Sequence, residues 1–309
     1  MLVMRMLSVC AAALFTVSAH AGALMDFNLV VLGDLDGVTD VEGRTFVGGD
    51  LNANSSVYGT MLSQSDYNAN PATLVVLGDL NPLTKQKEQY KVRGDLQYTG
   101  SIKNQNNEDV VSFQAFGGSQ TAPTYTLADV TNQAKSLSDS LKALADTATL
   151  SIPNSPGPLN FTAGPGLTVY SVEDGNDIFS NSNVQQIDLS LDPDAENVIV
   201  NVGGEVIDFD MGNFVGGFVT NEGRSKVIWN FYEATMLDFD RSFDGMVLAP
   251  HATLVSQQII SGTVVVKNLN SRSEVHLPLT DIPSVVIPTP TAAAMGLAMV
   301  GLLVARRRR

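Results

Sequence analysis

The chain has 309 residues, with 32 acidic against 18 basic side chains, a formal net charge of −14 and a single cysteine. A surface of that sign repels nucleic acid and anionic lipid. One thiol excludes a disulfide framework and any multi-cysteine metal site.

The first 21 residues have the order of an export signal. Arg5 supplies a short positive region, Leu7 to Val17 an apolar region, and Ala19-His20-Ala21 a small-residue cleavage site, with Ala19 and Ala21 flanking the histidine. The expected mature start is Gly22. Cys10 follows Val9 inside the apolar region, where a lipoprotein would need a small residue, so the mature chain carries no cysteine. Without Arg5 and the four arginines at the other end, 13 basic residues face 32 acidic ones, a net of −19. Cations, basic surfaces and neutral polysaccharide are the partners such a surface allows.

Residues 22–282 read as one domain, since no long linker or low-complexity stretch divides them. They contain an internal repeat. Val30-Val31-Leu32-Gly33-Asp34-Leu35-Asp36 recurs as Val75-Val76-Leu77-Gly78-Asp79-Leu80-Asn81, and further Gly-Asp-Leu copies begin at Gly49 and Gly94. A β-branched strand closed by a Gly-Asp turn and repeated at similar steps predicts the coils of a β-solenoid. Glycine allows the tight corner, aspartate can bond its own backbone there, and the following leucine turns back into the stack. Further strands are predicted at Leu167–Val172, Val198–Val202, Val227–Tyr232, Gly245–Leu248 and Thr263–Val266.

One segment has a different period. Leu127, Val130, Ala134, Leu137, Leu141, Leu144 and Ala148 recur at alternating steps of three and four, which predicts a helix over about 126–148 on the flank of the β structure. Thr126 with Asp129 resembles a capping box at its start, and Pro153, Pro156 and Pro158 forbid its continuation. The fold class expected is therefore mainly β, a β-solenoid with one flanking amphipathic helix.

Pro283, Pro288 and Pro290 make residues 283–290 a stiff spacer. An apolar run over 291–305 follows, then Arg306, Arg307, Arg308 and Arg309, which resist translocation and stay inside. As a helix the run spans about 22 Å, short of the roughly 30 Å hydrocarbon layer. Residues 288–309 thus suit a transient membrane stop rather than a durable anchor.

Two groups of residues carry a family resemblance. Phe27 to Asp34 and Asp40 to Asp50, with Gly33, Asp34, Glu42, Gly43, Arg44, Gly48 and Gly49, resemble the opening of the choice-of-anchor A family. Gly245-Met246-Val247-Leu248-Ala249-Pro250-His251-Ala252 and Gly262-Thr263-Val264-Val265 resemble its closing signature. The resemblance implies a bacterial surface adhesive domain with a β-helix-like core. The tail resembles a PEP-CTERM sorting signal, with Pro288-Thr289-Pro290 standing where that pattern has Pro-Glu-Pro. That implies an exosortase-like processing enzyme as a partner, and a membrane held only until the cut.

Candidate chemistry is sparse. Asp34, Asp36, Asp40 and Glu42 cluster hard oxygen ligands for calcium within nine residues, but in a spacing unlike an EF-hand, and a solvated turn accounts for them as well. His251 and His276 sit in no metal-ligand spacing, and there is no Gly-x-Ser-x-Gly elbow. Arg44 is available to pair with nearby acids. Arg93-Gly94-Asp95 is an integrin-type tripeptide that the repeated turn explains. Trp229 and Phe231 share a strand face and are read as buried, with Tyr232 opposite. An ice-binding face would show Thr-x-Thr at each rung, and Thr147-Ala148-Thr149 stands alone. The expected function is a secreted surface adhesive or matrix protein that holds extracellular polysaccharide without chemical turnover. A glycan-cleaving enzyme on the same scaffold and a structural layer protein are the alternatives.

Overall fold

Leu35, Leu51 and Leu80 lie one above another in paired strands and are fully buried, so the leucine of each Gly-Asp-Leu unit does turn inward. Ile207, Leu237, Leu254 and Leu269 continue the same column, again without exposure beyond 1 %. Each such side chain contributes roughly 1.5–3 kcal/mol of burial. This apolar spine fixes the register of the strands around it, because a one-residue slip would expose all seven.

The structure, a computed structural model, describes residues 23–37, 40–53, 55–82, 89–104 and 106–283. The leader with Ala19 and Ala21, residues 284–290 of the spacer, the apolar run 291–305 and Arg306 to Arg309 lie outside the described residues, as do Pro288, Thr289 and Pro290. Among the described residues no helix is long and apolar enough to cross a membrane. The described part falls within one compact unit, Gly22–Pro288.

The protein is mainly β, with parallel sheets and few helices. Among the described residues every pairing between named strands is parallel, and the chain winds over three faces. On the first face the order runs Gln120–Thr121, Asp95–Tyr98, Ala72–Val76, Thr45–Val47, Leu29–Val31, then Val264–Ser271, Met246–Ser256, Val227–Phe231, Ala195–Val202 and Gly166–Val172. The chain therefore starts in the middle of the stack, climbs to one end, returns, and descends to meet its own first turn. Leu29 pairs with Val264 at that seam.

The return is made by the helix Leu127–Lys142. Its buried side, Val130, Ala134, Leu137 and Leu141, covers Val169, Ile199, Ile228, Val265, Val30, Phe46 and Val75 on the outside of the first face. Thr126 caps it by accepting from the Asp129 amide at 3.2 Å. The helix ends at Lys142 rather than near Ala148. Beyond it Thr147 and Ala148 donate to the Val169 carbonyl, and the Thr147 hydroxyl accepts from the Val169 amide at 2.9 Å. The apolar period ran on because Ala148 and Leu150 pack against the core, but the backbone there satisfies the edge of strand Gly166–Val172.

The predicted strands correspond to Gly166–Val172, Ala195–Val202, Val227–Phe231, Met246–Ser256 and Val264–Ser271, with Tyr232, Gly245 and Thr263 just outside them. Met246–Ser256 is longer than expected because it turns a corner at Ala249-Pro250, passing from the first face to the second where its register with Val264–Ser271 shifts. Proline suits that corner, since a ladder N–H is dispensable there.

Candidate binding face

The second face stacks seven strands: Val206–Phe209, Met236–Phe239, the far halves of Met246–Ser256 and Val264–Ser271, then Leu35–Gly37, Leu51–Ala53 and Leu80–Pro82. Period-two alternation puts the residue after each buried Leu or Ile on the outside. That outward column reads Asp208, Asp238, Val255, Asn270, Asp36, Asn52 and Asn81, all exposed or half-buried. Six of seven rungs carry a short carboxylate or amide. At about 4.8 Å per rung the strip runs roughly 29 Å.

Its members bond to one another. Asn52 Nδ2 donates to Asp36 Oδ1 at 2.8 Å, and Asn81 Nδ2 donates to Asn52 Oδ1 at 3.0 Å. A second ladder borders it at the corner. Asn268 Oδ1 accepts from the Asp34 amide, Asp34 Oδ1 from Asp50, Asp50 Oδ1 from Asp79, and Asp79 Oδ1 from Ser101, at 3.1, 2.8, 2.8 and 2.7 Å. The turn aspartates thus bond the backbone of the next coil, not their own. Each partner must be glycine-preceded: a Cβ at Gly49 would overlap Asp34 Oδ1, and one at Gly78 would overlap Asp50 Oδ1.

The fourth corner is Gly100-Ser101, whose glycine packs on Asp79 in the same way. Gly94-Asp95-Leu96 sits elsewhere, at the start of a first-face strand. Asp95 is buried and accepts from the Ser119 amide at 2.8 Å, while the Arg93 guanidinium lies over the Phe116 ring. The integrin-type tripeptide therefore presents no free carboxylate.

Both edges of the face are blocked. Pro82 ends one outer strand. At the other, Asn176 Nδ2 donates to the Val206 carbonyl, Asn176 Oδ1 accepts from the Asp208 amide, and Ser180 Oγ donates to the Asp208 carbonyl, at 2.8, 3.1 and 2.7 Å. Side chains stand where a further strand would add, so the face resists edge pairing. Its charge is acidic. Burial pushes the Asp238 carboxyl above the usual carboxylate range, and the negative charges of Asp240 and Asp208 push it further.

The four calcium candidates do not converge. Asp34 serves the corner ladder, Asp36 accepts from Asn52, Asp40 Oδ1 accepts from the Val57 amide at 2.7 Å, and Glu42 Oε2 accepts from the Leu277 amide at 2.8 Å. Among the described residues no three acidic, histidine or cysteine side chains are grouped as a metal site. His251 is exposed at the Pro250 corner, and His276 pairs with Glu274 at 2.7 Å. Arg44 also differs from expectation: its guanidinium donates to the backbone carbonyls of Asp66 and Asn70 rather than to a carboxylate. Gly43 packs against Asn28, and Gly48 against the Leu32 carbonyl.

Trp229 and Phe231 are fully buried, as their alternation implied, and Trp229 Nε1 donates to the Asp244 carbonyl at 3.1 Å. Tyr232 lies on the other side under the Lys142 ammonium. Apart from Asp36, read as a calcium candidate, the Asn and Asp residues of the outward strip were missed by reading motifs singly. Their signal was present: Asp34-Leu35-Asp36, Asp50-Leu51-Asn52, Asp79-Leu80-Asn81 and Asn268-Leu269-Asn270 share one pattern.

Parallel coils that bury an aliphatic spine and turn a repetitive polar strip to solvent define a mainly β domain with an exposed polar array. The chain belongs to the family described as "Putative Ice-binding-like adhesive domain", whose sequence model matches residues 20–277. Among solved structures it is similar to an ice-binding protein from the Antarctic ascomycete Antarctomyces psychrotrophicus, at 12 % identity and a TM-score of 0.33, over 85 % of this chain and 98 % of that one. It is also similar to a glycosylated ice-binding protein from an Arctic yeast, at 15 % identity and a TM-score of 0.37, over 87 % and 97 %. No curated protein matches the chain.

Proposed function

We propose that this chain is a secreted surface adhesive whose coils form a β-solenoid and whose second face holds extracellular polysaccharide without turnover. The observation that carries this reading is the seven-rung outward column from Asp208 to Asn81, a regular array of hydrogen-bonding groups backed by a rigid aliphatic spine. Carboxylates and amides at fixed spacing suit a polymer that repeats its hydroxyls. In this reading the leader exports the domain, the choice-of-anchor A resemblance supports a bacterial surface address, and a PEP-CTERM-like tail passes it to an exosortase-like enzyme.

Retention on the host's exopolysaccharide tests it. Saturable retention that generates no new reducing ends, and that falls about tenfold in an Asp36→Ala/Asn52→Ala/Asn81→Ala variant, supports the proposal. Chain shortening that disappears on replacing a single carboxylate would replace it with a glycan-cleaving function.

Ice is the second reading, because the family's description includes it. The outward columns of the second face contain one threonine, Thr253, against a row of aspartates and asparagines, and this ranks polysaccharide first. Thermal hysteresis of the purified chain, abolished in the same triple variant, would reverse that order.

A further inference from the structure

Around the corner from the acidic strip, the third face holds a groove of different chemistry. It lies over the heads of strands Gly157–Ala163, Val184–Leu191 and Phe214–Gly216, has a volume of about 420 Å³, and is lined by Gly157, Pro158, Gln185, Gln186, Asn213 and Val215. No charged side chain lines it. In a chain so acidic, an uncharged groove is a local departure that composition does not explain.

A break in the pairing builds it. Gly157 pairs with Val184 and Pro158 with Gln186, so Gln185 has no partner across the strand. Regular alternation would send one of two consecutive glutamines into the core. The bulge instead leaves both exposed. Neither amide makes a hydrogen bond within the chain among the described residues. Asn213 provides a third amide, its Oδ1 reached by Arg241 Nη1 at 3.5 Å and its Nδ2 likewise unbonded among the described residues. Pro158 and Val215 supply the apolar part of the lining.

We infer that this groove is a subsite for a neutral, hydroxyl-bearing sugar unit. A primary amide offers two donors and an acceptor on one plane, which matches neighbouring hydroxyls that both give and receive hydrogen bonds. The Pro158 and Val215 carbons suit the apolar C–H edge of a sugar ring. The absence of lining charge gives no purchase to a uronate, sulfate or ammonium group. The volume falls within the range of small-ligand sites. This subsite goes beyond the strip on the second face and is independent of it.

Titration calorimetry of the full-length chain with cellohexaose, isomaltohexaose and neutral oligosaccharides cut from the host's exopolysaccharide tests the inference, with oligogalacturonate as the charged comparison. Saturable binding of at least one neutral oligosaccharide is expected, weakened about tenfold or more in Gln185→Ala/Gln186→Ala and unchanged in the Asp36→Ala/Asn52→Ala/Asn81→Ala variant. Both variants replace solvent-facing side chains, and an unaltered unfolding midpoint shows that each remains folded. The inference is overturned by no saturable binding of any neutral oligosaccharide, by equal affinity in the glutamine variant, or by preference for oligogalacturonate. Loss in the triple variant alone would assign the binding to the second face and remove this site.

Discussion

The Asn28 side-chain amide donates to the carbonyl of Gly262 at 2.9 Å, joining residues 234 apart in sequence. The same amide reaches the His276 carbonyl at 3.0 Å, and Asn28 Oδ1 accepts from the Gly43 amide at 3.0 Å. Asn28 is fully buried, so it ties the first coil to the last without help from water. Asn28→Ala would strand the Gly262 carbonyl and the Gly43 N–H, each costing about 1–3 kcal/mol when left buried and unpaired, while the His276 carbonyl keeps the Gly262 amide. A loss of roughly 2–4 kcal/mol is expected in urea unfolding. A loss below about 1 kcal/mol would mean that the seam is held by strand pairing alone.

The corner ladder predicts a contrast between two changes at one residue. Asp50→Asn keeps an oxygen in position for the Asp79 amide, as Asn268 does for Asp34, and should leave stability nearly unchanged. Asp50→Ala removes the acceptor and should cost about 1 kcal/mol. Gly49→Ala should cost about 1–3 kcal/mol, because its methyl group meets Asp34 Oδ1 and the Gly33 backbone. Denaturant midpoints of the three variants give the order directly.

Much of the architecture was readable from the sequence because the physics is local. Leu35, Leu51 and Leu80 point inward by strand alternation, and Val130 to Leu141 form a helical stripe wherever the helix lies. The spatial order of the coils was not readable. Phe27 to Asp50 and Gly245 to Val265 mark the two ends of the domain in sequence, yet Leu29 pairs with Val264 in the middle of the stack. Nothing in the period of either segment specifies that neighbour, because all coils present similar edges. The fourth Gly-Asp-Leu copy was misplaced for a related reason. The tripeptide at Gly94 matches the repeat, but the ladder needs a glycine above Asp79 and not the whole tripeptide, and Gly100 supplies it. The groove at Gln185 was hidden because a bulge leaves no mark in a run of two glutamines.

Asp238 links the binding face to pH. Its folded-state carboxyl titrates above its ordinary value, first through burial and then through Asp240 and Asp208. One of its oxygens is buried without a hydrogen-bond partner. Between the unfolded and folded values the folded state binds more protons, so this group lowers stability as pH rises through that window. Asp238→Asn should therefore raise the urea midpoint at pH 7, and the advantage should shrink below the ordinary carboxylate range. An equal midpoint shift at pH 7 and pH 3 would show that the charge plays no part.

The long helix is attached by a buried amide chain as well as by its apolar side. Asn230 Nδ2 donates to the Ser138 carbonyl at 2.9 Å and to Asn201 Oδ1 at 2.8 Å, and Ser138 Oγ donates to Asn230 Oδ1 at 2.6 Å. Asn201 Nδ2 then donates to the Leu141 carbonyl at 2.9 Å. Three hydrogen bonds thus join the first face to the helix, and a fourth links Asn230 to Asn201, within a contact that is otherwise apolar. Such a chain specifies where along the face the helix sits, since sliding by one turn would leave buried amides unpaired. Asn230→Ala should cost about 2–4 kcal/mol and speed amide exchange in residues 134–142 ahead of global unfolding. The double variant Asn230→Leu with Ser138→Ala fills the space of Asn230 and removes the Ser138 hydroxyl that Asn230→Ala leaves without its acceptor. That double variant should be less destabilised than Asn230→Ala, yet still exchange faster along the helix, because its position is no longer specified. Equal protection in the double variant and the native chain would show that the apolar stripe alone sets the position of the helix.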